Sequence, residues 1–206
     1  MSDLIIPLFP LEVVLFPGSA LPLHIFEERY KVLIQECLDE KREFGINLLL
    51  DGKVAPVGCS ASVVSVLRTY SDGRFDVVVE GERRYALNRY DSGSALYLVG
   101  EVEYFEPADQ PAEEMLGKET VRLYNQLIAT VYGDTLPRVE HTLDDRHLSF
   151  KLAQKAGMDL QHRQRLLELP TEQERIEMLH TYLTEVIPKL ERLSEVERVI
   201  RSDGYL

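Results

Sequence analysis

The hydrophobic spacing of this chain changes character once, near Pro107. Before it, short runs of β-branched and aromatic residues are separated by Gly, Pro, Asp and Asn, the pattern of strands and tight turns. After it, apolar residues recur at helical spacing along segments too long to be strands. A chain of this kind folds as an α+β protein. The strand-built part covers residues 1–106, the helical part covers 107–206, and the ADQPA stretch (108–112) links them.

In the strand part, the clearest run is Phe75 to Val79, which follows the turn signal Asp72-Gly73 and places Phe75, Val77 and Val79 on one sheet face. Cys59 to Leu67 supplies its hairpin partner, and Gly81 lets the chain bend into a further strand, Arg83 to Tyr90. Leu4–Phe9, Val13–Phe16, Leu21–Ile25, Phe44–Leu50 and Leu96–Phe105 complete a set whose close spacing predicts a β-barrel or sandwich. One helix interrupts the strands between Glu27 and Lys41, where Tyr30, Leu33, Ile34, Cys37 and Leu38 form the apolar stripe.

The helical part reads as a bundle. Its first helix spans Glu113 to Val131, and a second covers Asp145 to Ala156 and stops at Gly157, a residue suited to the left-handed cap conformation. Asp159 caps a short helix through Glu168. Thr171 and Glu174 form a capping box that opens the last helix, in which Pro188 is expected to cause a kink or a break.

Charge narrows the function. The chain carries 23 Lys plus Arg against 35 Asp plus Glu, a formal charge of −12. Residues 1–106 hold 17 acids and 10 bases, and residues 107–206 hold 18 and 13, so neither half hides a basic footprint for nucleic acid. Cys37 and Cys59 have no His or Cys neighbour at metal-ligand spacing and read as buried reduced thiols, as in a reducing cytosol. The most apolar stretch, Leu4 to Phe16, is too short for a bilayer span and contains Pro7, Pro10 and Glu12; the first cationic side chain is Arg29, so no basic leader region precedes it. The expectation is a soluble cytoplasmic protein with no membrane partner.

Catalytic signatures are sparse. The chain has no G-x-G-x-x-G, no G-x-x-x-x-G-K-[ST], no G-x-S-x-G and no H-E-x-x-H. His141 and His147, with Asp144 and Asp145 between them, form the only His/Asp cluster, and their spacing matches neither i,i+4 pairing nor a zinc pattern. No metal or cofactor is expected. A small metal-dependent hydrolase using that loop is the rival reading; a structural assembly subunit associating through Thr171–Arg201 is a third.

The informative segment is Ile6 to Tyr30, IPLFPLEVVLFPGSALPLHIFEERY, with four prolines and twelve Leu, Ile, Val or Phe residues. Leu8, Val14, Phe16, Leu21 and Leu23 alternate as core residues. What remains apolar at the strand ends forms a groove for extended hydrophobic peptide. Its candidate contacts are Phe26, Glu27, Glu28, Arg29 and Tyr30, with Leu11 and Phe16 as apolar neighbours. Phe26 and Tyr30 are four apart and can share a helix face, while Glu27, Glu28 and Arg29 offer polar edges to a peptide backbone.

Across this segment the chain resembles the LON domain, the amino-terminal substrate-recognition module of ATP-dependent Lon proteases, which also occurs as a stand-alone bacterial protein and in cereblon-type ubiquitin ligase receptors. The matching blocks are IPLFPLEVVLFPG (6–18), LPLHIFEERY (21–30), FGINLL (44–49), VGCSASV (57–63) and DGRFDVVVEGERRY (72–85), with LSFKLAQKAGMDLQHRQRLLELPTEQERIEMLHTYL (148–183) resembling the helical portion. The resemblance implies a PUA-like β-barrel followed by a helical bundle, in a stand-alone LON domain protein that binds protein segments without cutting them. Implied partners are unfolded or partly folded proteins, with a protease or chaperone downstream. The ATPase and Ser–Lys peptidase modules of Lon proteases have no counterpart in this sequence. PUA-like barrels elsewhere bind RNA, which the acidic charge opposes.

Overall fold

The computed structural model describes residues 4–92, 95–106, 110–133, 135–140 and 147–202, with side chains up to residue 193. Two units divide the chain: Met1–Pro107 with Asp159–Glu168, and Ala108–Met158 with Leu169–Leu206.

The first unit is built on six strands, β1 (Leu4–Leu8), β2 (Ala20–Ile25), β3 (Phe44–Leu50), β4 (Lys53–Thr69), β5 (Phe75–Asp91) and β6 (Leu98–Tyr104), in the order β2-β5-β4-β3-β1-β6. Only β1 and β3 run parallel; β5 also pairs with β6, so the ladder β5–β4–β3–β1–β6 returns to its starting strand with β2 outside it on β5. The segments expected as Phe75–Val79 and Arg83–Tyr90 form one strand. Its first half pairs with β2 and its second with β6. Gly81 sits at that changeover, where a Cβ would lie 2.3 Å from the Phe16 carbonyl oxygen, and its backbone exchanges hydrogen bonds with Gly18 and Ser19.

Val13–Phe16 forms no strand, contrary to the sequence expectation. Pro10 and Pro17 bracket it and supply no N–H, while Leu11 makes a single parallel bridge to Leu48. The segment is packed all the same, with Val14, Leu15 and Phe16 buried.

Helix α1 (Glu28–Glu40) lays Tyr30, Leu33, Ile34 and Cys37 into a core shared with Phe9, Ile25, Phe44, Ile46, Phe75, Val77 and Val79. Each large side chain buried in this way contributes about 1.5–3 kcal/mol. The helix ends at Lys41, which adopts the left-handed conformation (φ 51°) and donates its N–H to the Cys37 carbonyl.

Tyr85, wholly buried, crosses β3 and β4 at Gly45 and Gly58. A Cβ on Gly45 would lie 2.1 Å from the Tyr85 hydroxyl oxygen, and on Gly58 2.6 Å. That hydroxyl donates to Asn47 Oδ1, and Asn47 Nδ2 donates to the Ala55 carbonyl at 3.0 Å.

The helix Leu160–Glu168 (α4) belongs to the first unit although its sequence lies in the helical half. Asp159 caps it by accepting the His162 backbone N–H at 2.8 Å, as the sequence predicts. Arg163 donates to the Val14 carbonyl and stands over the Phe16 ring, Gln164 donates to the Val57 carbonyl, and Arg84 donates to the Leu167 carbonyl. In the proline-punctuated opening Ile6, Leu8, Phe9, Val14, Leu15, Phe16 and Ile25 are buried, and only Leu4, Ile5 and Phe26 are exposed large apolar residues.

The second unit contains α2 (Glu114–Tyr132), α3 (Leu148–Ala153) and α5 (Glu172–Ser202), with α2 and α3 packed on α5. Helix α3 ends earlier than the predicted Ala156, because Lys155 N–H bonds back to Leu152 and tightens the turn. Gly157 does take the left-handed conformation (φ 74°) beyond it. The Thr171–Glu174 capping box is present in both directions. Helix α5 runs through Pro188 without interruption, which corrects the expected break. Buried Ile176, Leu179, Leu183 and Ile187 anchor the helix up to that point, and packing offsets the missing hydrogen bond. Glu172 and Arg175 form a fully buried ion pair, completed by the Ser149 N–H and hydroxyl donating to Glu172 and by Arg175 donating to the Leu169 carbonyl.

Replacing Tyr85 by Phe keeps the ring over the glycines and strands Asn47 Oδ1 without its donor. Denaturant titration of Tyr85→Phe should give a loss of about 1–3 kcal/mol. A loss below the precision of the measurement would remove this hydrogen bond from the account of the core.

Candidate functional site

β2 hands over directly to α1, and the handover puts one aromatic ring into solvent. Phe26 follows Ile25, the last residue of β2, and is 59% exposed. Ile25 turns into the core, so its neighbour in the extended backbone turns out. The Phe26 ring stacks against His24 at 6.0 Å, and the His24 ring meets the edge of Tyr70 at 5.8 Å. Strand register then sets the polar partners, because His24 pairs with Asp76 and Asp76 with Arg68. His24 Nδ1 lies 2.5 Å from one Asp76 oxygen, and the Tyr70 hydroxyl donates to the other at 2.8 Å. Arg68 and Arg74 stand over the Tyr70 ring at 4.6 and 5.1 Å. The result is a strip of three rings, Phe26 and His24 exposed and Tyr70 half-buried, joined by the half-buried Asp76 carboxylate.

At the helix start, Glu27 is the extended N-cap residue (φ −75°, ψ 135°) and its carbonyl accepts the N–H of Tyr30 and of Lys31. Arg29 pairs with Glu27 at 2.8 Å, Lys31 with Glu28 at 2.7 Å, and the Arg29 guanidinium lies 4.5 Å above the Tyr30 ring. These polar groups are solvated ion pairs beside the apolar ring.

The sequence-predicted contacts divide. Phe26, Glu28 and Arg29 are exposed and Glu27 is partly so. Tyr30 is buried and stacks on Phe9 with ring centroids 3.8 Å apart, so it does not share an accessible face with Phe26. Leu11 packs half-buried against the cluster that contains Tyr30. Phe16 is wholly buried under Arg163 and offers no surface. Sequence reasoning missed His24, Tyr70 and Asp76. The Asp72-Gly73 turn carried a signal for Asp76, since it fixes the β4–β5 register, but pairing β2 onto β5 required the fold.

Of the histidine loop, His141, Asp144 and Asp145 lie outside the described residues. His147 is exposed, precedes α3 and stacks on Phe150 at 6.2 Å. Among the described residues, no group of three His, Cys, Asp or Glu side chains is arranged to hold a metal, and no helix is long and apolar enough to cross a membrane.

The strand ladder that returns to its starting strand carries this aromatic strip on β2, the end of β4 and β5. The chain belongs to the family of the substrate-binding domain of the ATP-dependent protease La (LON), whose model matches residues 5–185. Among solved structures it resembles a Lon N-terminal domain protein from Xanthomonas campestris, with a TM-score of 0.70 and 26% identity over 85% of this chain and 96% of that one. The fold is also that of the N-terminal domain of Mycobacterium avium complex Lon protease, at a TM-score of 0.64 and 21% identity, over 87% of this chain and 98% of that one. Among curated proteins, Lon protease 3 of Sorangium cellulosum is 26% identical over 85% of this chain and 23% of the protease. Lon protease of Haemophilus influenzae is 24% identical over 95% of this chain and 25% of the protease. The chain therefore spans about a quarter of the length of these relatives.

The Asp76 carboxyl is held below the usual carboxylate range, first by its hydrogen bond to His24 and then by that to Tyr70. Its folded value lies below its unfolded one, so its contribution to stability is present above the unfolded value and is lost as pH falls through the folded one. Melting temperatures of wild type and Asp76→Asn recorded between neutral pH and about pH 3 should converge at the acid end. Parallel curves would show that the strip does not depend on this charge.

Proposed function

We propose that this protein is a non-catalytic polypeptide-recognition module that binds exposed apolar segments of unfolded or partly folded proteins, in the cytoplasm, and passes them to a protease or chaperone. The observation that carries the reading is Phe26, an aromatic side chain held in solvent by the strand-to-helix handover and backed by His24 and Tyr70. Rigid aromatic surface of this kind supplies binding area at low entropic cost. Glu27, Glu28 and Arg29 give the backbone of a bound segment donors and acceptors at the rim, Leu11 extends the apolar surface, and Tyr30 holds the helix start from within the core. Family membership supports the same reading, and the returning strand ladder fits a PUA-like barrel.

Isothermal titration of a permanently unfolded model protein into wild type and into a Phe26→Ala/Arg29→Ala double variant tests the site. The double variant should bind about tenfold more weakly. Equal affinities would take this surface out of the mechanism.

A further inference from the structure

Of the three rings in the aromatic strip, one can change its charge. His24 stands exposed between the other two, with Nδ1 on Asp76 Oδ1, the Phe26 ring stacked beside it and the Tyr70 ring at its edge. An imidazole gains its proton close to neutrality, whereas carboxylates, phenols, ammonium and guanidinium groups as classes keep their charge between about pH 5.5 and 8. The hydrogen bonds from His24 and Tyr70 hold the Asp76 carboxyl below the usual carboxylate range, so it stays an anion across that interval.

The charged groups around His24 come from every element packed near it. β5 supplies Asp76, and the end of β4 supplies Arg68, whose charge acts on Asp76 and whose guanidinium lies over Tyr70. In the turn between these strands Arg74 pairs with Asp72 at 2.7 Å. At the start of α1, Arg29 pairs with Glu27 and Lys31 with Glu28. The Lys31 ammonium also donates to the Asp72 carbonyl at 3.3 Å, which ties the helix start to the turn. The next acid along β5, Glu80, sits opposite Ala20 at the far end of β2. Four residues of strand put it about 13 Å from Asp76, beyond a Debye length at physiological salt. Each cation of the set thus has an anion beside it, and with a neutral His24 the charges cancel. A proton on His24 adds one positive charge that the set does not balance, because Asp76 already faces Arg68 and its second oxygen is taken by the Tyr70 hydroxyl.

We propose that His24 is a proton-controlled gate on this surface: a neutral imidazole lets the strip accept an apolar segment, and an imidazolium makes the strip release it. An apolar chain laid over Phe26 takes water away from the ring stacked beside it. A neutral imidazole whose Nδ1–H is already given to Asp76 loses little in that step, whereas an imidazolium gives up hydration without a surplus anion in return. Occupancy and protonation therefore oppose each other, and by reciprocity the affinity falls as acid protonates His24. The proposal rests on the reading that the strip binds apolar polypeptide, and it names the regulation of that same site.

The test is fluorescence anisotropy with a labelled peptide of Leu, Phe, Gly and Ser only, acetylated and amidated at its ends so that it has no titrating group of its own. Wild type should bind about fivefold more weakly at about pH 5.5 than at about pH 8, and His24→Gln, which can still donate to Asp76 but cannot gain a charge, should show the same affinity at both. Proton NMR of wild type gives a second readout that needs no variant to fold: the His24 ring resonance should titrate at lower pH when the peptide is saturating. Wild-type binding that is unchanged or tighter in acid, a pH dependence that persists in His24→Gln, or a His24 titration that stays in place or moves upward each overturns the gate. If the peptide binds at about pH 8 and acid does not weaken it, the gate fails and polypeptide recognition stands. If neither the peptide nor the unfolded model protein binds there, both fail.

Discussion

The sheet of the first unit depends on one side chain laid across two glycines. Tyr85 comes from β5, its ring occupies the space that side chains at Gly45 and Gly58 would fill, and its hydroxyl is bonded to Asn47. Three consecutive strands are thereby locked to one another by a group that tolerates neither a larger neighbour beneath it nor the loss of its partner. Burial raises the Tyr85 hydroxyl well above its ordinary pKa, so it remains a donor. The aromatic strip is carried by β2, the end of β4 and β5 of the same sheet.

Much of this architecture was legible in the chain, and the reasons differ by element. β3 has the bounds that its apolar run predicts, and the Thr171–Glu174 box opens α5 as expected. In both cases the local pattern and the tertiary packing agree. The failures fall where tertiary contacts overrode local signals. Val13–Phe16 has strand composition, but its backbone lies between prolines, with Leu15 in the α1 cluster and the Phe16 ring under Arg163 of α4; Gly81 reads as a bend in the sequence, yet the strand passes through it with the Phe16 carbonyl in close approach. Pro188 removes one hydrogen bond from a helix that packing already holds.

The candidate surface divides along the same line. Exposure of Phe26 follows from the burial of Ile25 and was readable from alternation. The fates of Phe16 and Tyr30 were not, because apolar character alone does not distinguish a residue that greets a partner from one that fills the interior. The long greasy opening turns out to be mostly interior, and its accessible large apolar remainder is Leu4, Ile5 and Phe26. His24 lies 52 residues before Asp76 and meets it only through strand pairing, whereas Tyr70 is six residues away across the β4–β5 turn.

Helix α4 carries one more implication, for biosynthesis. The ribosome delivers the six strands first, but the element that shields Phe16 and bonds to Val14 and Val57 emerges some fifty residues later. For that interval the nascent sheet presents an oily flank to the cell.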